Sequence, residues 1–397
     1  MPAFLLPLGI NCKKAMYLQK LSFRENEGEK IERLIDGVTM GKINLIVGKN
    51  SSGKTRTLNA ISELVELFLG SRALPKTHGR YHVVFREEDR EMIYTLTYKD
   101  GSIGEESLEW DGEKVMHRGE EGKGTIKYMA TPKTMFLDFG IEKNQLACFA
   151  KQDKLQHPFL DQLRQWAVNM RRFDFSGNLG KESYTMKAVF EPGEIDFRDT
   201  RASLVPVLYM GLEQHEGFRE QLLKDMHEIG YDLEDLGIMH FSERYEPTGK
   251  DRYAVYTTEA GLEKKVSQRD MSQGMFRAFA VLVHLEYYIA SGLTGCVVID
   301  DIGEGLDFSR AKWLVNLLVE RAEVSGMQLI LSTNDAFIMN AVDIRHWAVL
   351  NREGNKISLY NYENSKEIFE DFKFTGLNNF DFYASEFFKS GLSDPSE

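Results

Sequence analysis

Gly48-Lys49-Asn50-Ser51-Ser52-Gly53-Lys54-Thr55 decides how this 397-residue chain is read. The pattern is G-x-x-x-x-G-K-T. It follows an apolar run, Lys42-Ile-Asn-Leu-Ile-Val47, that reads as a buried strand, and it precedes a helical pattern from Arg56 to Leu69. Strand, loop and helix in that order are what a phosphate-binding loop needs. Gly48 and Gly53 let backbone N–H groups curl around phosphates, and the helix that follows adds the positive end of its dipole. The pattern assigns Lys54 to the β- and γ-phosphates and the Thr55 hydroxyl to Mg²⁺. Asn50, Ser51, Ser52 and Arg56 complete the expected nucleotide-binding set.

On the N-terminal side, Tyr17 to Arg24 reads as a strand, whereas residues 1–15 match no element and Met16 is a candidate natural start. On the other side, Tyr81-His-Val-Val-Phe85, Met92 to Tyr98 and Ser107 to Trp110 are short strands separated by Lys99-Asp-Gly101 and Asp111-Gly112, which spells an antiparallel meander. The acidic runs Glu87 to Glu91 and Glu105-Glu106 read as solvated faces. Residues 141–240 look mainly helical, with Phe159, Leu163 and Trp166 at helical spacing. Lys151, Lys154, Arg164, Arg171 and Arg172 make part of this stretch basic. An amphipathic helix with a wet basic side is the favoured reading, and a nucleic-acid contact the alternative.

A second group of motifs starts at Met271-Ser272-Gln273-Gly274-Met275-Phe276-Arg277, which leads into an apolar helix, Ala278 to Ile289. Alone, Ser272 would be an ordinary helix N-cap. Gly295-Cys-Val-Val-Ile-Asp300-Asp301 then reads as a buried strand ending in two carboxylates, which suits Mg²⁺ held through water. After it come Gly305-Leu306-Asp307, a helix from Arg310 to Glu323, and a further buried strand, Gln328 to Thr333, that ends at Asn334-Asp335.

This ordered set resembles the ABC-type ATPases, and more narrowly the AAA-type P-loop ATPases of the RecF/OLD/SMC-related branch. Residues 16–60 and 268–352 carry the resemblance. It implies a mixed α/β P-loop head in which a largely parallel sheet bears the phosphate loop and the double acid. An antiparallel meander lies beside that sheet, and a helical subdomain is inserted. The expected parts are 16–140, the first part of the head; 141–265, the inserted, mainly helical subdomain; and 266–397, the rest of the head. It further implies a site shared between two copies. Lys54 and Thr55 of one copy hold ATP and Mg²⁺, with Asp300 serving the metal. Ser272, Gln273 and Gly274 of the other copy cap the γ-phosphate from a second helix N-terminus, and Asp307 lies in the loop that crosses the dimer.

Two positions depart from the resemblance. Asp301 stands where a glutamate usually polarises the attacking water, and Asn334 replaces a switch histidine that can carry positive charge. Slow turnover follows from both. Glu304 is a weaker candidate for part of the base role, and Gln145 and Gln152 for the metal-sensing glutamine.

The 61 Asp plus Glu against 49 Lys plus Arg give a net charge of −12, which excludes a chain that coats nucleic acid over its whole surface but not a local contact. Cys12, Cys148 and Cys296 lie far apart and set up neither a disulfide framework nor a zinc site. His157, His240 and His284 have no ligand-spaced partners. The early apolar run is too short to span a membrane and lacks a basic flank, so a cytoplasmic location with no membrane attachment is expected. The short aromatic tail from Phe374 to Phe388 has no clustered carboxylates for a nuclease and is expected to pack on the core. The functional expectation is an ATP-hydrolysing switch that forms a homodimer or higher oligomer on ATP–Mg²⁺. It would couple to an effector protein, or to DNA through the helical insert, and by analogy serve prokaryotic defence. The alternatives are an ATP sensor with negligible turnover and, behind it, the ATP-binding subunit of a transporter.

Overall fold

Three apolar runs, Ile43–Val47, Cys296–Asp300 and Gln328–Thr333, are buried along their entire length. Only strands covered on both faces achieve this, and such strands are typically parallel. The computed structural model describes residues 16–131, 135–177, 179–182, 185–186, 196, 198–241 and 252–390. Residues 1–15, including Cys12 and the candidate start region, lie outside the described residues.

The chain opens with β1 (Tyr17–Glu25), β2 (Arg33–Thr39), β3 (Ile43–Val47) and α1 (Lys54–Phe68). Six strands follow: β4 (His78–Glu87), β5 (Arg90–Lys99), β6 (Ser102–Trp110), β7 (Glu113–Arg118), β8 (Lys123–Tyr128) and β9 (Met135–Gly140). Next come α2 (Ala147–Ala150), α3 (Pro158–Val168), β10 (Met170–Asp174), β11 (Thr185–Met186), α4 (Leu204–Gln214) and α5 (Phe218–Glu228). The middle continues with β12 (Leu233–Phe241), β13 (Arg252–Glu259), β14 (Val266–Ser267) and α6 (Gln273–Ala290). Then follow β15 (Cys296–Asp300), α7 (Phe308–Ser325), β16 (Gln328–Thr333) and α8 (Ala336–Ala341). The chain closes with β17 (Trp347–Glu353), β18 (Lys356–Asn361), α9 (Lys366–Lys373), α10 (Asn379–Ala384) and α11 (Phe387–Ser390).

Two units divide these elements. The larger comprises residues 16–172, 295–302 and 328–397. Its 14-stranded sheet runs in the order β10-β15-β16-β3-β17-β18-β2-β1-β4-β5-β6-β7-β8-β9. The pairings β15–β16, β16–β3, β3–β17 and β18–β2 are parallel. From β2 through β9 each pairing is antiparallel, so the meander is continuous with the parallel part and makes the sheet mostly antiparallel. Its tight turns are where the sequence put them: Asp100-Gly101 and Asp111-Gly112 both have positive φ at both residues, the geometry a two-residue hairpin requires. A single apolar core joins α1 and α3 to the sheet through Leu58, Leu64, Phe68, Phe159 and Trp166, with Val83, Phe85 and Tyr94 from the strands. The aromatic tail packs in part: Phe382 and Phe388 are buried, with Phe382 facing Trp347 at 6.4 Å, whereas Phe374 is 87% exposed.

One expectation fails inside the meander. Glu106 is fully buried rather than solvated. It takes Nε and Nη2 of the equally buried Arg118 at 2.7 and 2.6 Å, the Tyr94 hydroxyl at 2.9 Å and the Ala147 amide at 3.0 Å. Its neighbour Glu105 points to the other face, as alternation along a strand demands.

The smaller unit comprises residues 173–294 and 303–327, apart from the undescribed positions within them and the undescribed N-terminal segment. It holds α4, α5, α6 and α7. The stretch expected to be mainly helical also carries an antiparallel sheet, β11-β13-β12 with β14 on β13, that the sequence reading missed. Ser272 caps α6 by accepting from the Met275 amide, and Asp307 caps α7 by accepting from the Ser309 and Arg310 amides. Among the described residues no helix is long and apolar enough to cross a membrane.

Candidate phosphate-binding site

The loop after β3 is shaped by what its residues cannot avoid. A Cβ on Gly48 would sit 2.3 Å from Ser52 Oγ, and one on Gly53 would sit 2.2 Å from Ile357 Cδ1; Gly53 also has φ 105. At Gly53 the positive φ would strain any other residue whatever the space. α1 begins at Lys54 with no side-chain cap and no acidic residue in its first turn, so its leading N–H groups remain available to an anion. Ser52 Oγ is buried and has no hydrogen-bond partner among the described residues. The Lys54 ammonium is buried and donates to the Gly48 carbonyl at 2.9 Å. Burial lowers its pKa, while the nearby Asp301 and Asp300 carboxylates pull it back up.

Around Lys54 lies a cavity of about 360 Å³ lined by Asn50, Ser51, Gly53, Lys54, Thr55, Arg56, Asp301, Asn334 and Arg352. That volume suits a small ligand. Eight of the nine were singled out from sequence. Arg352, on β17, was not, because it belongs to no motif; a lone cation at the exposed end of a strand gives no signal.

Sheet topology explains the convergence. β15, β16, β3 and β17 are parallel neighbours, so the loops leaving their C-terminal ends meet at one edge, the usual place for a ligand in such sheets. Asp300 ends β15 and is 2% exposed. Its Oδ1 accepts from Ser332 Oγ at 2.5 Å, and its Oδ2 lies 3.4 Å from Arg172 Nη2. Asp301 takes φ 54, and its amide donates to the same Ser332 Oγ at 2.9 Å. Asn334 follows β16 and donates to Asn50 Oδ1 at 3.2 Å.

The donor set fits a nucleotide: a lysine, a hydroxyl, uncapped helix amides and a buried serine hydroxyl without a partner among the described residues. Among the described residues no cluster of three or more His, Cys, Asp or Glu side chains could hold a metal by itself. Mg²⁺ asks for less, since it keeps waters and takes phosphate oxygens, so Thr55 with Asp300 would suffice for it.

The other predicted residues belong to the smaller unit. There the start of α6 and the Gly305 loop are locked together. A Cβ on Gly274 would lie 2.4 Å from the Gly305 carbonyl, and one on Gly305 would lie 2.4 Å from Arg277 Nη1. Arg277, 6% exposed, donates to the carbonyls of Glu304 at 2.5 Å and Gly177 at 2.9 Å. Gln273 reaches the Gly177 carbonyl at 3.4 Å. Asp307 holds Arg310 at 3.0 Å, and Arg310 lies over the Tyr231 ring at 4.3 Å. Glu304 itself is exposed. Gln145 and Gln152 do not line the cavity.

The basic stretch from Lys151 to Arg172 finds internal partners. Arg164 and Lys154 share Asp161 at 2.9 and 3.7 Å, Arg171 donates to the carbonyls of Val168 and Met170, and Arg172 reaches Ser62 and Asp300.

A family model described as "AAA domain, putative AbiEii toxin, Type IV TA system" matches residues 207–340, the stretch that holds the second group of motifs. Among solved structures, the chain is similar to the SMC head bound to the C-winged helix domain of ScpA. The TM-score is 0.53 at 14% identity, over 88% of this chain and 99% of that one. The SMC head with an extended coiled coil bound to the C-terminal domain of ScpA, derived from Pyrococcus furiosus, gives 0.47 at 13% identity, over 90% and 100%. No curated protein sequence matches. The chain has a P-loop ATPase fold of the type seen in SMC heads. The cavity lies at the sheet edge that carries Lys54, Asp301 and Asn334.

Proposed function

We propose that the chain is an ATP-dependent molecular switch that binds ATP–Mg²⁺ in the Lys54 cavity, pairs head to tail with a second copy, and hydrolyses ATP slowly. The observation that carries this is the convergence of Lys54, Thr55, Asp301 and Asn334 on one cavity from three separate loops. In this reading Lys54 and the α1 amides hold the phosphates, with Gly48, Asn50, Ser51, Ser52 and Gly53 shaping the loop. Thr55 and Asp300 serve the metal, which supplies charge neutralisation at the phosphates when bound. Asp301 orients and polarises the attacking water, and Asn334 donates a hydrogen bond toward the γ-phosphate. Ser272, Gln273 and Gly274 of the second copy offer the second helix N-terminus, and Asp307 lines the crossing loop.

Support for an effector protein comes from the SMC head solved with ScpA bound. A DNA contact through the Lys151 to Arg172 stretch has less support, because its cations are met within the chain. A role in defence rests on analogy.

A second reading, an ATP sensor with negligible turnover, is favoured by the short arm of Asp301 and the uncharged Asn334. Titration with ATP–Mg²⁺ and steady-state phosphate release together test both. Lys54→Ala should lose nucleotide binding, and retained binding would contradict the proposal. Phosphate release that disappears in Asp301→Asn favours the switch, whereas none from the unmodified chain favours the sensor.

A further inference from the structure

Arg352 is the one cavity-lining residue that no motif explains. It is exposed, and among the described residues it donates to two backbone carbonyls, Gly354 at 2.8 Å and Ser51 at 3.3 Å, rather than to a carboxylate. Arg56, on the first turn of α1, lines the same cavity. Its guanidinium lies close enough to those of Arg352 and Arg33 to feel their positive charge. Arg33 has a partner, Glu25, at 3.3 Å. Like charges gathered beside a cavity cost stability unless an anion occupies the space.

The sheet order says which part of a ligand this is. Across β15-β16-β3-β17-β18-β2, Asp301 and Asn334 leave the β15 and β16 side, the loop follows β3, and Arg352 and Arg33 lie on the β17 and β2 side. The proposed function, on which this inference rests, puts the hydrolysed phosphate beside Asp301. The remainder of the nucleotide then extends toward the arginines. We propose that Arg352 and Arg56 form a second cation site in this cavity, holding the α-phosphate end of nucleoside di- and triphosphates alike. The planar guanidinium fork suits two phosphate oxygens at once.

ADP is the probe, since it reaches this end without being hydrolysed. Its affinity is measured by calorimetry at several salt concentrations for the unmodified chain, Arg352→Gln, Arg352→Lys, Arg56→Gln and Lys54→Ala. Loss of a charged phosphate contact predicts affinity weakened about tenfold or more in Arg352→Gln. It also predicts a shallower salt dependence and partial recovery in Arg352→Lys, with Arg56→Gln weakened in the same direction. Arg352→Gln that binds ADP as tightly as the unmodified chain, where Lys54→Ala abolishes binding, overturns this inference alone. So does an equal loss in Arg352→Lys and Arg352→Gln with unchanged salt dependence, which would make Arg352 a support for the Ser51 carbonyl. An unmodified chain that binds no ADP overturns the nucleotide reading and this one with it.

Discussion

Asp301 is held in place by its own backbone, with φ 54 and its amide on Ser332 Oγ. Aspartate tolerates this left-handed conformation better than most residues, so the position is fixed at small cost. What it lacks is reach, being one methylene shorter than glutamate, and across the cavity Asn334 supplies a hydrogen bond but no charge. In the proposed switch, the two shortfalls fall on the same step, the polarisation of water against the terminal phosphate. Changing both, Asp301→Glu with Asn334→His, should raise phosphate release by about tenfold or more with ATP affinity little changed. Steady-state phosphate assays check this, and an unchanged rate would mean that something other than these two side chains limits turnover. Most residues at this scale were legible because their chemistry is written in spacing: two glycines five apart, a lysine, a threonine. Arg352 and Glu106 were not. Whether an arginine turns to a cavity, or a glutamate to a core, depends on a strand face and a partner far along the chain.

Among the elements, β6, β7 and the start of α2 are tied by the Glu106–Arg118 pair. Both side chains are 0% exposed. Burial raises the Glu106 pKa, opposed chiefly by Arg118. Arg118→Met would leave that carboxylate without its cation, and a loss of roughly 3–5 kcal/mol is expected in urea unfolding. A loss under about 1 kcal/mol would show that Tyr94 and the Ala147 amide suffice.

In the smaller unit, α5, α6 and α7 meet at a different cluster. Arg321 lies 2.5 Å from Asp225 and 3.0 Å from Glu286, so one cation serves two buried carboxylates. Burial, then the Asp225 charge, push the Glu286 carboxyl up to about 8. The folded chain therefore keeps that proton where the unfolded chain has released it. Stability falls as pH rises from the ordinary glutamate range toward 8, by up to about 1.4 kcal/mol per pH unit. Glu286→Gln should remove this share of the slope, gaining on the unmodified chain at pH 8 relative to pH 5. Parallel slopes would contradict it. The helices of this cluster were readable from apolar spacing. The β12–β13 pair was not, because Gly237 and a register shift between Leu233 and Asp235 break the alternation that marks a strand.

Over the whole molecule, the order of motifs along the chain told more than composition did. A net charge of −12 is spread widely, while one cavity gathers Lys54, Arg56 and Arg352. The continuity of a 14-stranded sheet was beyond sequence reading, since the meander's strands and the parallel strands look independent until β1 and β2 join them. The central claim concerns two molecules rather than one. In it, the Lys54 cavity of one copy and the Ser272 helix start of another complete a site only with nucleotide between them. Light scattering after size-exclusion chromatography, with and without ATP–Mg²⁺, tests this directly. The account predicts that the unmodified chain doubles its mass on ATP–Mg²⁺, while Lys54→Ala and a bulky Ser272→Arg stay at the monomer mass. A mass indifferent to ATP, or doubling that survives Lys54→Ala, would contradict it.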